Sequence, residues 1–384
     1  MITRTLFCEE HEVFRETVRK FIEREIKPYH LQWEQDHIVP RELWLKAGAA
    51  GMLCCTIPEE YGGAGADYLF DVVVFEEMAK SGFTGPGFMI HCDLVATYIK
   101  SFGSEEQKRK WLPKMVSGEA IGSLGMTEPH AGSDLKAIRT RAVRDGDDYV
   151  INGQKVFISN GQLCDVIVLA TKTGGEGAKG VTLFLVDTSL PGFHRGKNLE
   201  KLGMKGQDTS ELFFDDLRVP ASAMLGNEGQ GFALMMTKLS QERLAQAIRS
   251  AAVAEEVIAY TVDYTSQRKA FGQTIGDFQN TQFKIAELQT EAVIGRVFTD
   301  RCIELFMNGQ LDAVDAAMAK LWLSELHCKV VDQCLQFFGG WGYMWEYPIS
   351  RAYADARVVK IAGGSVEIMK KIIGGSLYKK ARER

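Results

Sequence analysis

The sequence predicts an α+β fold, in which an N-terminal helical domain precedes a middle β-sandwich or barrel-like domain and a C-terminal antiparallel four-helix bundle. The chain has 384 residues, too many for one ordinary core, because domains usually hold about 100–200 residues. Apolar residues have helical spacing at both ends and form short strand-like runs in between. We therefore predict domains at residues 1–121, 122–228 and 229–384.

The N-terminal third has the period of amphipathic helices. In HEVFRETVRKFIEREI and DVVVFEEMAKSG the apolar residues lie three and four positions apart. The glycine-rich stretches PEEYGGAGAD and SGFTGPGF interrupt this pattern and indicate connecting loops. We expect a set of helices joined by turns.

The pattern changes to strands between Gly122 and Asn227. The runs YVINGQKVFISN, DVIVLATKT, GVTLFLVDTS and ELFFDDLRVP are rich in β-branched and aromatic residues and are separated by Gly, Asn, Asp and Pro. After Gly231 the helical pattern returns in three long stretches and a shorter last one. Such a series is typical of an antiparallel bundle.

Composition and charge exclude several functions. The formal net charge of −5 and the pI of about 5.9 predict no general attraction to nucleic acid or to an anionic membrane. The sequence contains no run of about 20 apolar residues, which is the length needed to span a membrane. The eight cysteines show neither a C-x-x-C pair nor a zinc-like spacing, which predicts reduced thiols and no metal. The absence of a visible targeting segment predicts a cytoplasmic chain, or a mitochondrial-matrix chain whose transit peptide has been removed.

The loop MTEPHAGSDL, from Met126 to Leu135, is a candidate binding loop. It brings Thr, Ser, Gly and backbone donors to the start of the β domain, where they suit a polar heterocycle or a phosphate. The same residues fit a capped turn, in which Ser133 and Asp134 bond local amides. The run VFISNG, which ends a strand with a hydroxyl and an amide before Gly161, leaves the same two interpretations open.

Glu242 is the candidate acid or base. At about 100° per residue along a continuous helix, it shares an arc with Met235, Leu239, Val253 and Val257. A carboxylate on an apolar stripe is costly unless it is paired or used, and desolvation raises its pKa towards that of a useful base. Pairing with a neighbouring arginine is the structural alternative.

Five segments follow one another in the order and spacing of the acyl-CoA dehydrogenases. They are MTEPHAGSDL, FISNG, LGMKGQDTSELFFDDLRVP, QRKAFGQTIGDFQNTQFKIAEL and QFFGGWGYMWEYPISRAYADARVVKIAGGSVEIMK. The resemblance covers essentially the whole chain. Within the family, TRTLF, QERL and GGWGYMWEYPI look most like the long-chain members.

The resemblance implies a reaction and a base. Members of this family remove the α-proton of an acyl-CoA thioester while a β-hydride passes to FAD, which leaves a trans-2-enoyl-CoA. In most of them a Glu occupies the place of Gly363, whereas long-chain and isovaleryl-type members use a Glu that matches Glu242. Both arguments therefore select Glu242 as the base. The nearest rival, Glu367, matches a position that faces the adenosine of the cofactor, and Gly363 would give the acyl chain room.

The resemblance also implies binding residues, position by position. Contacts with FAD from the same subunit are implied for Met126, Thr127, Gly132, Ser133, Phe157, Ser159, Ser365 and Glu367. Contacts from a neighbouring subunit are implied for Arg268, Phe271, Gln279, Gln336 and Gly340. Substrate contacts are implied for Ser133, Arg243, Gly363 and Gly364. Two positions depart from the pattern. Many relatives have Gly at the position of His130, and most have Trp at the position of Phe157.

The implied partners are an acyl-CoA substrate, an electron-transfer flavoprotein that takes the electrons, and further copies of the chain in a homotetramer built as a dimer of dimers. These partners belong to fatty acid β-oxidation. The alternative is a branched-chain, isovaleryl-like or terpenoid, citronellyl-like, acyl-CoA dehydrogenase. A non-catalytic or nucleic-acid-binding protein on the same scaffold is a remote third possibility, which the negative net charge and the presence of Glu242 oppose.

Overall fold

The structure, a computed structural model, describes residues 2–383. Helices form the first part of the chain. They are α1 (Glu9–Phe21), α2 (His30–Asp36), α3 (Arg41–Ala49), α4 (Tyr68–Ser81), α5 (Thr97–Phe102) and α6 (Glu105–Ser117). Two π-helical segments, Ile22–Ile26 and Ile90–Ala96, follow α1 and precede α5. π-Helical turns occur often at functional sites, and the second segment borders the site described below.

Local sequence sets the ends of α6. The Ser104 hydroxyl accepts the Gln107 amide at 3.2 Å, and the Gln107 side chain accepts the Ser104 amide at 3.0 Å. This reciprocal capping box satisfies two amides that the first helical turn leaves free. The helix ends at Ser117 and is capped by Gly118, whose φ of 79° is a left-handed conformation that glycine adopts without strain.

The strands of the middle region join in one mixed sheet. They are β1 (Gly122–Gly125), β2 (Arg141–Asp145), β3 (Asp148–Ser159), β4 (Val166–Lys172), β5 (Val181–Asp187), β6 (Phe193–Asn198), β7 (Thr209–Pro220) and β8 (Met224–Leu225). The order is β6-β7-β3-β2-β4-β5-β8, with β1 pairing in parallel with β4. Because β4 is covered on both faces, its run VIVLA is continuously apolar: Ile167 and Leu169 pack into a core within the sheet, and Val166 and Val168 pack towards the helices.

Long helices form the last part of the chain. They are α7 (Gly231–Gln267), α8 (Gln279–Met307), α9 (Ala313–Phe337), α10 (Pro348–Ala356) and α11 (Val366–Arg382), with a small hairpin of β9 (Lys269–Ala270) and β10 (Gln273–Thr274) after α7. Helix α7 packs against α8 and α9, and also against α4 of the N-terminal part. The α+β fold predicted from the sequence is confirmed.

A buried ion cluster ties the N-terminal segment to the bundle. Glu76 of α4 is fully buried. Its carboxylate accepts hydrogen bonds from Arg4 at 2.9 Å, from Arg15 at 3.1 Å and from Arg296 of α8 at 2.7 Å. Arg4 also bonds Asp300 at 2.7 Å. Charge-assisted contacts from three parts of the chain therefore converge on one carboxylate.

Among residues 2–383, every helix is too short or too polar to cross a membrane.

Candidate active site

Glu242 lies inside the protein where α7 meets the N-terminal helices. Only 8% of the residue is exposed, and its neighbours along the apolar stripe, Met235 and Val257, are buried as well. The Tyr98 hydroxyl of α5 donates to Glu242 Oε1 at 3.3 Å. Within the described residues, Oε2 receives no hydrogen bond and is free to accept a proton.

Burial dominates the electrostatics of this carboxyl group. It raises the pKa of Glu242 to about 7, although the Tyr98 hydrogen bond and the charges of Arg243 and Lys238 act in the opposite direction. A carboxylate with a pKa near the working pH is suited to general base catalysis, because it is ionised yet still basic enough to take a proton. Arg243 is itself buried, and no carboxylate lies within 4 Å of it among the described residues, so the ion pair that would explain Glu242 structurally is not formed.

A second acid lies beside Glu242. Asp93, in the π-helical segment Ile90–Ala96, accepts from the Gln241 side-chain amide at 2.7 Å. Burial raises the pKa of Asp93 to about 8, so Asp93 carries its proton at neutral pH. A neutral Asp93 leaves Glu242 as the group that ionises in this part of the interior.

The glycine loop lies against the turn of α7 that follows Glu242. Gly363 and Gly364 have φ of 66° and 90°, conformations that other residues adopt only with strain. A Cβ atom added at Gly363 would have the Gln246 side chain as its nearest neighbour, at 3.6 Å. The position thus has room towards α7, one helical turn from Glu242.

Lys320 of α9 holds the backbone of this loop in place. Its side chain is fully buried in α9, and its ammonium donates to the Gly364 carbonyl at 2.6 Å. Burial lowers the pKa of Lys320 to about 8, the charge of Arg243 lowers it further, and Glu367 acts in the opposite direction. A dedicated buried lysine therefore fixes the glycine pair.

The structure brings the two candidate binding motifs together at β3. The Thr127 carbonyl accepts the Val156 amide at 3.0 Å, and Lys155 donates to the Met126 carbonyl at 3.1 Å. Phe157 follows with a φ of 61°, and 66% of it is exposed. A large apolar ring in a strained backbone conformation and open to the surroundings suits stacking against a planar ligand.

The loop after Thr127 forms the capped turn that its sequence allowed, and its binding role stays a prediction. Asp134 accepts the Lys136 amide at 3.2 Å, as a capped turn requires. Gly132 is open, because an added Cβ would meet nothing within 4 Å. His130 Nε2 lies 3.3 Å from the Glu128 carboxylate.

The contacts predicted from a neighbouring subunit lie at the far end of the bundle. Tyr264, near the end of α7, stacks on Phe338 at 4.2 Å between ring centroids, so the ends of α7 and α9 meet. This end holds Arg268, Phe271, Gln279, Gln336 and Gly340. It is separated from Glu242 by 26 residues of helix, or about 39 Å. The contacts predicted from a neighbouring subunit therefore lie far from Glu242 along α7.

Comparisons with known proteins decide the family. The chain matches the acyl-CoA dehydrogenase N-terminal domain over residues 8–119, the middle domain over 123–217 and the C-terminal domain over 229–378. It belongs to the acyl-CoA dehydrogenase family. It is therefore an oxidoreductase and a flavoprotein of this family, with FAD as cofactor.

Three similar proteins represent the range of relatives. The mitochondrial long-chain specific acyl-CoA dehydrogenase of Rattus norvegicus is 50% identical over 373 residues, which cover 96% of this chain and 87% of that one. An acyl-CoA dehydrogenase structure from Geobacillus kaustophilus is 47% identical with a TM-score of 0.96, covering 98% and 100%. A Mycobacterium smegmatis glutaryl-CoA dehydrogenase structure in complex with FADH2 is 30% identical with a TM-score of 0.90, covering 97% and 95%.

The residues present fit FAD. The exposed Phe157 ring offers a stacking surface, and the backbone of Met126 and Thr127 is anchored beside it on β3. Asn160, just beyond, is 1% exposed, and its side-chain amide donates to the Gly87 carbonyl at 3.2 Å and to the Gly122 carbonyl at 3.1 Å. These bonds anchor the end of β3 beside the exposed ring.

A cluster of possible metal ligands in this acyl-CoA dehydrogenase is explained by packing. Cys54, His91 and Cys92 lie close together and are buried. Both nitrogens of His91 are engaged, since Nδ1 accepts the Gly122 amide at 2.9 Å and Nε2 lies 2.9 Å from the Met115 carbonyl. The imidazole therefore has no free lone pair for a metal.

Proposed function

We propose that this acyl-CoA dehydrogenase oxidises long, straight-chain acyl-CoA thioesters to trans-2-enoyl-CoA, with Glu242 as the base and an electron-transfer flavoprotein as the acceptor. The observation that carries the proposal is the buried Glu242 carboxylate opposite the vacant side-chain position at Gly363. The 50% identity to a long-chain specific enzyme supports the chain length.

Each residue of the proposed site has a separate role. Glu242 takes the α-proton on Oε2, while the Tyr98 hydroxyl holds Oε1 at 3.3 Å and fixes the carboxylate orientation. Burial excludes water from Glu242 and keeps it basic. Lys320 holds the Gly363–Gly364 backbone beside the thioester. When bound, FAD supplies the acceptor for the β-hydride.

We also propose that the active unit is a homotetramer. The five binding residues at the far end of the bundle are about 39 Å along α7 from Glu242, and a second copy can bring them to the site. Several aromatic side chains at that end are exposed, with Phe271 at 96% and Tyr343 at 86%. Such apolar exposure is typical of a surface that another subunit covers.

A substrate panel tests the chain length. Straight acyl-CoA thioesters from butyryl to stearoyl, with isovaleryl-CoA and citronellyl-CoA, are compared by kcat/KM with electron-transfer flavoprotein as the acceptor. We expect palmitoyl-CoA to exceed butyryl-CoA by at least roughly 100-fold, because burying only about three or four of its additional methylenes, at about 0.8 kcal/mol each, already gives that ratio. A maximum at isovaleryl-CoA or citronellyl-CoA would instead establish the branched-chain alternative.

The pH dependence of kcat/KM is a separate prediction. The pKa of Glu242 is about 7, so the base is protonated and inactive below that pH and ionised above it. We expect kcat/KM to rise with pH through about 7 and then to level off, because this parameter reports the free enzyme. Initial rates at fixed ionic strength between about pH 5.5 and 8.5 measure it. A profile that is flat across this range would contradict the assignment.

A further inference from the structure

Arg249 is a cation without an ionic partner in the interior of the bundle. It lies on α7 seven residues after Glu242, which places the two side chains on nearly the same face, about 10 Å apart along the axis. Within residues 2–383 no carboxylate lies within 4 Å of its guanidinium. Its one polar contact in that range is with the Met89 sulfur at 3.9 Å, a weak acceptor.

A second unpartnered polar group lies beside it. His327 of α9 is only 5% exposed, and neither ring nitrogen has a hydrogen-bond partner among the described residues. Burial and the charge of Arg249 lower the pKa of His327 to about 3, so the imidazole is neutral and offers one N–H donor. Buried polar groups are normally paired, but protein atoms cover both His327 nitrogens, so only the Arg249 guanidinium is left to bind a missing acceptor.

The nearest acid does not supply that acceptor. Asp355 of α10 interacts electrostatically with Arg249. Its carboxylate, however, accepts from the Met204 amide and, at 3.0 Å, from the Thr84 hydroxyl. Asp355 therefore joins three parts of the chain and lies beyond hydrogen-bonding distance of Arg249.

Glu242 and Arg249 face one N-terminal segment. Met89, which contacts Arg249, immediately precedes the π-helical segment Ile90–Ala96. Tyr98, which follows that segment, bonds Glu242. A chain that has its α-carbon at Glu242 and follows this face of α7 reaches Arg249 after about 10 Å, or roughly eight carbons.

We propose that Arg249 binds a carboxylate at the far end of the acyl chain, so that mono-CoA thioesters of dicarboxylic acids of about ten carbons are preferred substrates. The planar guanidinium matches a carboxylate with two parallel hydrogen bonds. The proposal rests on the proposed function, since it takes Glu242 as the position of the α-carbon. The same acceptor chemistry could come from a carbonyl of bound FAD, and the experiment separates the two sources.

The test compares two thioesters of equal length, decanoyl-CoA and the mono-CoA thioester of decanedioic acid. They are measured on the native enzyme, on Arg249→Met and on Arg301→Met, a control at an exposed arginine of α8. We expect Arg249→Met to lower kcat/KM for the dicarboxylic ester by roughly 100-fold and to leave decanoyl-CoA nearly unchanged. Arg249→Lys should retain part of the preference for the dicarboxylic ester, because lysine keeps the positive charge. The preference should be weaker than in the native enzyme, because lysine lacks the planar guanidinium that binds both carboxylate oxygens.

Calorimetry in a Glu242→Gln background measures the Kd of both esters without turnover. Preferential weakening of the dicarboxylic ester by Arg249→Met supports the proposal. Equal changes for both esters, loss of FAD from the variant, or native binding of decanoyl-CoA without binding of the dicarboxylic ester would overturn it. Palmitoyl-CoA separates the two claims: if it is oxidised while the dicarboxylic ester is rejected, this inference alone fails, and if it is not oxidised, the proposed function fails.

Discussion

Replacing Glu242 with Gln is expected to lower kcat roughly 10³- to 10⁴-fold, because a positioned general base contributes about this much. The amide is similar in size and can still accept the Tyr98 hydrogen bond, which is 3.3 Å long. It cannot, however, take a proton. KM should change little, since the substitution removes an interaction that forms with the reacting proton.

The matched control is Glu256→Gln on the same helix. Glu256 lies 14 residues further along α7 and belongs to neither the site nor the buried ion cluster. The Glu256→Gln variant should retain the native kcat. Thermal unfolding of both variants shows whether the fold is intact. If both variants have equal activity, Glu242 is not the base and another carboxylate must be sought.

Replacing Glu76 with Gln is expected to destabilise the protein by about 3–5 kcal/mol, because it leaves the buried arginines without a counter-charge. Three guanidinium groups, from Arg4, Arg15 and Arg296, bond this carboxylate. Urea unfolding measures the loss. The control is Glu291→Gln, which removes a more exposed ion pair with Lys329 and should cost about 1 kcal/mol or less. Equal midpoints for the two variants would contradict this account of the cluster.

Glu76 also predicts how stability depends on pH. Burial acts to raise its pKa, but the charges of Arg296 and Arg4 prevail and lower it to about 2. Because the pKa is lower in the folded state, the Glu76 carboxylate contributes its full stabilisation at pH values above the unfolded pKa of about 4.3. This stabilisation is lost as the pH falls towards 2. We expect the native protein to lose more stability than Glu76→Gln between about pH 5 and 3. Parallel losses would show that Glu76 is not responsible.

The sequence predicted features that local patterns determine. Helical spacing located the long helices, and the same spacing placed Glu242 on the apolar stripe of α7, where the structure buries it. β-Branched and aromatic runs located four of the strands, namely β3, β4, β5 and β7. The resemblance implied that MTEPHAGSDL and FISNG both contact FAD, and the structure bonds Thr127 of the first segment to Val156, the residue before the second.

The sequence did not predict contacts between distant segments. Tyr98 lies 144 residues from Glu242, and Lys320 lies 44 residues from Gly364. Neither contact leaves a periodic signal, because each depends on how two distant segments pack rather than on the register of one helix. The missing partner of Arg249 was hidden for the same reason, since Arg249 by itself looks like any helical arginine. Only the assembled interior shows which polar groups remain unpaired.

The most direct test of the central claim is anaerobic stopped-flow reduction of the FAD-loaded enzyme by palmitoyl-CoA, with native protein and Glu242→Gln measured side by side. This single turnover isolates the step in which the α-proton leaves. The account predicts rapid bleaching of the native flavin and bleaching slower by roughly three orders of magnitude in the variant. Equal bleaching in both proteins, or none in the native enzyme, would contradict it.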